Sequence, residues 1–160
     1  MLPVTDRHFS NRHLPDKRRA RRGNVLVEFG LAFPLLFLLL SGMFQFGYAF
    51  FIYNELQSVV RSGVRYGATA DFDANAGGAA FRTQVKNMVV YGTTTAGSTP
   101  LVQGLTTSKV NVTWTTDAIG IPQTITVTIS NYSFYAVFRT ITLPNKPRST
   151  FIYLGQYISS

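Results

Sequence analysis

The chain has 160 residues, no cysteine, and 15 basic against 7 acidic side chains, which gives a formal charge of +8. Hydrophobic residues make up 46% and charged residues only 14%, well below the quarter that is typical of soluble domains, so an ordinary cytosolic enzyme is disfavoured. The length suits one domain, or one domain and an anchor, and the lack of cysteine excludes disulfides, thiolate nucleophiles and cysteine-ligated zinc.

Positive charge is concentrated at the N-terminus, where residues 1–23 carry seven basic and two acidic side chains. A basic run can bind nucleic acid, but no basic face interleaved with aromatic residues appears elsewhere, so we predict no nucleic-acid partner. Clusters of this kind beside a membrane segment stay on the cytoplasmic side. We therefore expect residues 1–23 to form a cytoplasmic leader. The residues that would set its orientation are Lys17, Arg18, Arg19, Arg21 and Arg22.

An uncharged segment follows, 26 residues long, from Phe29 to Asn54. As a helix it would measure roughly 39 Å, more than the ~30 Å that a bilayer core requires. We predict a transmembrane helix over residues 24–54, bent near Pro34 because proline removes a backbone donor. A secretory signal cut after Gly42 is the alternative. It is disfavoured because the aromatic run continues to Tyr53 and no A-x-A site precedes it.

One acid, Glu28, stands at the edge of this segment. A carboxylate drawn to the bilayer centre costs about 2.5–3.5 kcal/mol, so it needs a cationic partner or the interface. A cut after Gly23 would make Asn24 the new first residue and Glu28 the fifth, with a terminal ammonium about one helical turn away. Glycine would keep the backbone accessible there and resist continuing the helix upstream. The other reading is a first-turn acid that faces the positive end of the helix dipole, and the spacing leaves both open.

The segment from Gly23 to Pro34, GNVLVEFGLAFP, resembles the G-x-x-x-V-E-F-A-L-x-x-P signature of TadE-like proteins, which are minor pseudopilins of the tight-adherence (Flp) pilus system. Gly30 replaces the commoner alanine. The resemblance implies cleavage between Gly23 and Asn24 by a prepilin peptidase, and a role for Glu28 in processing or assembly. It also implies a bacterial inner-membrane protein whose partners are the bilayer, the peptidase, other pilin subunits and the assembly machinery. The remaining signature residues are Val27, Phe29 and Pro34.

The helical pattern continues past the apolar segment, so we predict one helix over about 25–69. Its outer half carries an apolar stripe that needs a cover, either the protein's own sheet or another subunit. Small residues could also allow other helices to approach closely. The stripe is formed by Leu56, Val59, Val60, Gly63, Val64 and Gly67, and the small residues are Gly42, Gly47, Gly63 and Gly67.

Residues 55–160 are predicted to form an extracytoplasmic domain. A second helix should run from Ala79 to Tyr91, capped by a residue of the segment 71–75 and ended by Gly92, with Arg82 and Lys86 facing solvent. Phe81, Val85, Met88 and Val89 would form its buried face. A turn-rich linker would follow over 92–100.

Alternating residues predict strands around Val112 and Val127, joined by a loop over 117–122. The segment 134–143 is apolar but ambiguous, and 148–158 is predicted as a final strand. The fold class is therefore α+β: a long N-terminal transmembrane helix extending into a domain with a second short helix and a three- to four-stranded antiparallel sheet. We expect about half of the seven aromatic residues in this last part of the chain to lie in the core. They are Tyr132, Phe134, Tyr135, Phe138, Phe151, Tyr153 and Tyr157.

The sequence gives little support for catalysis outside the leader, since residues 24–160 contain no histidine and only five acidic residues. Asp71, Asp73 and Asn75 resemble the start of a calcium loop but lack its glycine and closing glutamate. We therefore predict no enzyme, no metal and no cofactor. The preferred function is a membrane-anchored pseudopilin-like subunit. The alternatives are an uncleaved single-pass anchor with a small outer binding domain and, more distantly, a secreted hydrolase.

Overall fold

The computed structural model describes residues 17–73, 77–118, 120–136 and 138–158 of the chain. It divides into two compact units, residues 1–41 and residues 42–160. The first unit contains the N-terminal part of a long helix. The second contains the rest of that helix, a short helix and seven strands, which confirms the predicted α+β class.

The long helix α1 runs from Lys17 to Thr69. The prediction that it begins near residue 25 is wrong, because the helix continues upstream through Gly23 and the basic run. Lysine, arginine and alanine are good helix formers, and one glycine, which costs about 1 kcal/mol, does not outweigh them. The other residues of the predicted leader, 1–16, lie outside the described part of the chain.

The outer half of α1 buries the predicted stripe against its own domain. Leu56 and Val60 are fully buried, and Ile52 is the first buried apolar residue along the helix. A Cβ built at Gly63 would overlap the Val89 side chain, so the absence of a side chain lets the next helix approach. The cover is thus intramolecular, as the first of the two alternatives predicted, but it is provided by the second helix (Val89 and Val85) as well as by the sheet (Ile125).

The second helix, α2, spans Ala79–Tyr91, as predicted. Gly92 ends it in the left-handed region (φ 74°) and its amide donates to the Met88 carbonyl. The predicted cap in the segment 71–75 is wrong: Gly78 occupies the N-cap position and makes no side-chain cap hydrogen bond. Phe72 and Asp73 instead form a strand, because the chain pairs there with the C-terminal segment.

The described residues form seven strands, numbered here in chain order, and a short 3₁₀ helix, Thr107–Lys109, directly precedes the second strand. The strands are β1 Phe72–Asp73, β2 Val110–Thr116, β3 Pro122–Ile129, β4 Tyr132–Ala136, β5 Arg139–Leu143, β6 Arg148–Ile152 and β7 Tyr157–Ile158. They form an antiparallel sheet β2-β3-β6, an antiparallel hairpin β4-β5 and a parallel pair β1-β7.

The three-stranded sheet carries the core of the domain. Val112 pairs with Val127 and Val110 with Ile129, and all four side chains are buried. Thr126, expected on a wet face, is also buried; its hydroxyl lies 2.8 Å from that of Thr150 across the β3–β6 pair. The sheet is therefore held by apolar pairs on one face and by hydroxyl contacts on the other.

The loop between β2 and β3 begins, as predicted, after Thr116. The Asp117 carboxylate accepts a hydrogen bond of 2.8 Å from the Ile121 amide, and the Gly120 amide donates to the Asp117 carbonyl. Gly120 has φ 89°, a conformation that favours glycine. The strand β3 begins at Pro122 itself, so the loop is one residue shorter than predicted.

The ambiguous apolar segment forms the hairpin β4-β5. Asn131, at φ 53°, turns the chain out of β3, and its amide donates to the Pro144 carbonyl at the base of the hairpin. The buried Tyr132 hydroxyl donates to the Gln103 carbonyl at 2.7 Å. Phe134 meets Tyr48 of α1 edge to face, with ring centroids 6.1 Å apart. The hairpin therefore packs on α1 separately from the main sheet.

The predicted final strand over 148–158 is divided in two. After β6 the Leu154 amide donates to the Ala68 carbonyl, and the Tyr153 hydroxyl lies 2.9 Å from the Ala70 carbonyl. These bonds to the end of α1 replace sheet bonds and direct the chain to β1. Gly155 contacts the Ala70 carbonyl where a Cβ would not fit.

An aromatic cluster closes the domain beside α2. Phe72 and Phe81 lie edge to face at 5.4 Å, and Trp114 contacts both rings. Arg82 is exposed, as predicted, and its guanidinium lies 4.8 Å from the centre of the Trp114 ring. Lys86 is half-buried. Of the C-terminal aromatics, Tyr132, Phe134 and Tyr153 are core, whereas Tyr135, Phe138 and Phe151 are exposed.

Candidate functional site

The N-terminal part of α1 presents apolar side chains that the protein does not bury. Every large hydrophobic residue from Val25 to Phe51 is exposed, including Leu38 at 67%. A helix that is apolar on all faces belongs in a core or in a bilayer. Within the described residues one helix, Asn24–Thr69, is long and apolar enough to cross a membrane, and none of its most apolar stretch is buried by the protein. This stretch is a candidate membrane anchor.

The signature residues lie on this exposed part of the helix. Glu28 is exposed, with Val27 at 64% and Phe29 at 62% on either side. Asn24 and Glu28 are four residues apart, so they lie on the same face about one turn from each other. The helix brings together the two residues that the processing hypothesis pairs.

Gly23 lies inside α1 rather than at its start. Glycine in a helix interior costs about 1 kcal/mol relative to alanine, so local unwinding of the helix around Gly23 is less costly. Gly23 was predicted to resist continuation of the helix upstream. In the structure the helix continues through Gly23, so the effect of this glycine is to ease local unwinding.

Aromatic rings run along one side of the same segment. Phe29, Phe33 and Phe37 are spaced four residues apart, with successive ring centroids at 5.6 and 6.3 Å. Pro34 lies within the helix and is exposed. The stripe Phe29-Phe33-Phe37 was not predicted, although its four-residue spacing is visible in the sequence. It offers apolar contact area to lipid or to another apolar helix.

The basic residues from Lys17 to Arg22 form the first turns of α1. Clusters of lysine and arginine beside an apolar helix are attracted to anionic membrane surfaces in general.

The small residues of α1 divide into two groups. Gly63 and Gly67 are occupied by the protein's own contacts, since a Cβ at Gly67 would lie 3.2 Å from Val85. Gly30, Gly42 and Gly47 have nothing within 4 Å of such a Cβ. Among the glycines of α1 from Gly30 onward, only this second group remains open to another helix.

A polar face of α1, not predicted as a site, lies in the second unit. It borders a shallow depression of about 440 Å³ and includes the exposed residues Arg61 and Arg65. Its other lining residues are Asn54, Gln57, Ser58 and Ser62. Two arginines one turn apart favour a contact with carboxylates.

Three tyrosines of the second unit have a raised pKa. Burial raises the pKa of Tyr132, and nearby Tyr48 and Glu55 raise it further. Burial likewise raises the pKa of Tyr66 and of Tyr153, with Asp71 adding to both. Each of these tyrosines is therefore held as a neutral phenol, which suits a hydrogen-bonding structural role. The part of the chain that the structure describes contains no group of three or more His, Asp or Glu side chains placed to hold a metal.

These features define a class of protein: a long apolar helix, not buried by its own chain over its N-terminal part, that continues into a small α+β domain. The comparison with protein families agrees with the signature. Residues 23–65 match the family model TadE, described as TadE-like protein, which confirms the resemblance over this part of the chain. A comparison with curated proteins gave no match, and neither did one with solved structures.

Proposed function

We propose that the protein is a membrane-anchored, TadE-like pseudopilin that takes part in assembly of, or secretion by, a tight-adherence (Flp-type) pilus system. The observation that carries this proposal is the family match over residues 23–65, which begins at Gly23 and includes Glu28. The role is structural, without catalysis. Partners would be the bilayer, other pilin or pseudopilin subunits, the prepilin peptidase and the assembly machinery.

The anchor would lie in the inner membrane with its N-terminus in the cytoplasm. The five basic residues of 17–22 support this orientation, because juxtamembrane lysine and arginine remain on the cytoplasmic side. The outer domain would then stand on the periplasmic or extracellular side.

Processing would release the leader after Gly23 and create an ammonium group on Asn24. The Glu28 carboxylate would pair with this ammonium, or with that of a neighbouring subunit. Such a pair offsets the cost of holding a carboxylate beside the bilayer core, about 2.5–3.5 kcal/mol at its centre. A neighbour's ammonium would also fix the register between subunits.

The test is mass spectrometry of the full-length protein expressed in a cell with a functional tight-adherence system, combined with a count of pili. We expect a mature chain that begins at Asn24. Glu28→Gln keeps the side-chain shape but removes the charge, and it should impair processing or pilus formation. Glu55→Gln is the matched control, since Glu55 is the acid that follows the uncharged segment at its other end.

An intact leader on the parent protein would support the uncleaved single-pass anchor instead. The unbroken helix across Gly23 is the observation that favours this second candidate. Normal cleavage and normal pili in Glu28→Gln would refute the role of the carboxylate while leaving the anchor intact.

A further inference from the structure

The hairpin β4-β5 is anchored to the domain at its base and points away from it along α1. At the base, the Asn131 amide donates to Pro144 and the Tyr132 hydroxyl donates to Gln103. Two residues farther along, Phe134 contacts Tyr48. Tyr48 precedes Ile52, the first buried apolar residue of α1. The hairpin therefore extends toward the uncharged part of the helix.

The depth of the hairpin tip follows from the lengths of the two elements. From Phe134 to Ala136 a strand advances roughly 7 Å, which equals the rise of about five helical residues. A strand that continues along α1 would place the tip near the level of Met43. This level lies within the uncharged segment of the sequence, which extends from Phe29 to Asn54.

The composition of the tip is typical of a membrane interface. Tyr135 is 70% exposed and Phe138 is 58% exposed, and Arg139 beside them is exposed as well. Aromatic rings and basic side chains concentrate at the headgroup level of bilayers. The chain from residue 118 to residue 160 contains three basic residues and no acid, so no negative charge opposes contact with anionic lipid.

The space between hairpin and helix agrees with this placement. It is an open groove of about 390 Å³ with mostly apolar walls, and Lys146 stands at the base of the hairpin. The remaining walls are Phe46, Ala49, Phe50, Tyr53, Phe134, Ile141 and Leu143. Lipid chains can fill such a groove without leaving a polar group unpaired. Water in contact with the apolar walls is less favourable, because apolar surface is stabilised by removal from water.

We propose that the β4-β5 hairpin is a second membrane contact, whose tip inserts Tyr135 and Phe138 into the outer interface of the bilayer that α1 crosses. The inference rests on the membrane-spanning part of the proposed function and is independent of leader cleavage. Together with α1, the hairpin would fix the tilt and rotation of the outer domain against the membrane surface.

The test places a tryptophan at the tip of the full-length protein in phosphatidylcholine–phosphatidylglycerol vesicles. The variants are Tyr135→Trp and Phe138→Trp, and Leu154→Trp is the control. Leu154 is 72% exposed, and its amide binds the Ala68 carbonyl, about 30 Å farther along α1 than Tyr48. Trp114 is present in every variant and provides a common baseline.

We expect lipids brominated near the headgroup to quench most of the emission that the new tryptophan adds in Tyr135→Trp and Phe138→Trp. This added emission should also shift to shorter wavelength. The same lipids should leave the added emission of Leu154→Trp unchanged. Equal quenching at tip and control would overturn the proposal. A shift of the tip emission to shorter wavelength that is lost in nanodiscs holding a single chain would also overturn the proposal. In that case the tip would contact a second copy of the protein and not the bilayer. Failure of the protein to float with vesicles would refute the anchor itself, an outcome distinct from a floating protein with an unquenched tip.

Discussion

A methyl group at Gly63 would collide with Val89 across the contact between α1 and α2. The ideal Cβ at this position overlaps Val89 Cγ2 and lies 3.5 Å from Val89 Cβ and 3.7 Å from the Val85 carbonyl oxygen. Val89 is fully buried, and a valine in a helix strongly prefers one rotamer, so its side chain cannot move aside at low cost. The substitution Gly63→Ala should therefore force the two helices apart.

Two effects of opposite sign determine the size of the change. Overpacking of a well-packed core costs about 1–3 kcal/mol. Replacing glycine by alanine inside a helix returns up to about 1 kcal/mol through helix propensity. We expect the second unit of Gly63→Ala, residues 42–160, to lose about 1–2 kcal/mol of unfolding free energy.

The assay is denaturant unfolding of the full-length protein in detergent, followed by the fluorescence of Trp114, the single tryptophan of the chain. Its ring contacts Phe81 of α2 at 5.9 Å, so its emission reports on the position of α2. Gly47→Ala is the control, since its added methyl meets nothing within 4 Å.

A double variant distinguishes the collision from other causes. Val89→Ala alone leaves a cavity, but combined with Gly63→Ala it provides room for the new methyl. The loss in Gly63→Ala/Val89→Ala should be smaller than the sum of the two single losses. Equal or higher stability of Gly63→Ala, or strict additivity in the double variant, would refute the reasoning.

Two further predictions concern tyrosines of the second unit. Because burial raises the folded-state pKa of Tyr66, Tyr132 and Tyr153 above the unfolded value near 10, stability should be constant below about pH 10 and fall as pH rises beyond it. Tyr132→Phe should make this fall shallower; an unchanged slope in the unfolding midpoint against pH would contradict the assignment. Tyr153→Phe removes a hydroxyl 2.8 Å from the Gln156 carbonyl and 2.9 Å from that of Ala70, and should cost about 1 kcal/mol. Faster exchange of the Leu154 amide should accompany it, and exchange at the parent rate would count against this role.

The features that the sequence predicted correctly are those with a local pattern. The uncharged run from Phe29 to Asn54, the three- and four-residue spacing around Val60, and the alternation around Val112 and Val127 each repeat with the period of one element. Gly92 supplied the stop signal for α2 by its tolerance of the left-handed region. The signature from Gly23 to Pro34 is equally local, and the family match agrees with it.

The features that it missed depend on residues far apart in the chain. Phe72 pairs with Tyr157 in a parallel ladder only two residues long, for which no periodicity exists to detect. The helix N-cap expected in 71–75 was predicted wrongly for the same reason, because this pairing makes Asp73 part of a strand. The start of α1 was missed because glycine was treated as a helix breaker, whereas the helix formers around Gly23 carry the helix through it.

For the candidate site, the sequence alone determined the order of basic run, glycine, carboxylate and apolar helix, since these properties belong to consecutive residues. Only the tertiary structure decided which described glycines of α1 are already covered, and that the β4-β5 hairpin packs on α1 at Tyr48. The direction of that hairpin depends on bonds from Tyr132 to Gln103 and from Asn131 to Pro144. Contacts between distant residues form only when the whole domain packs, so no local pattern contains them.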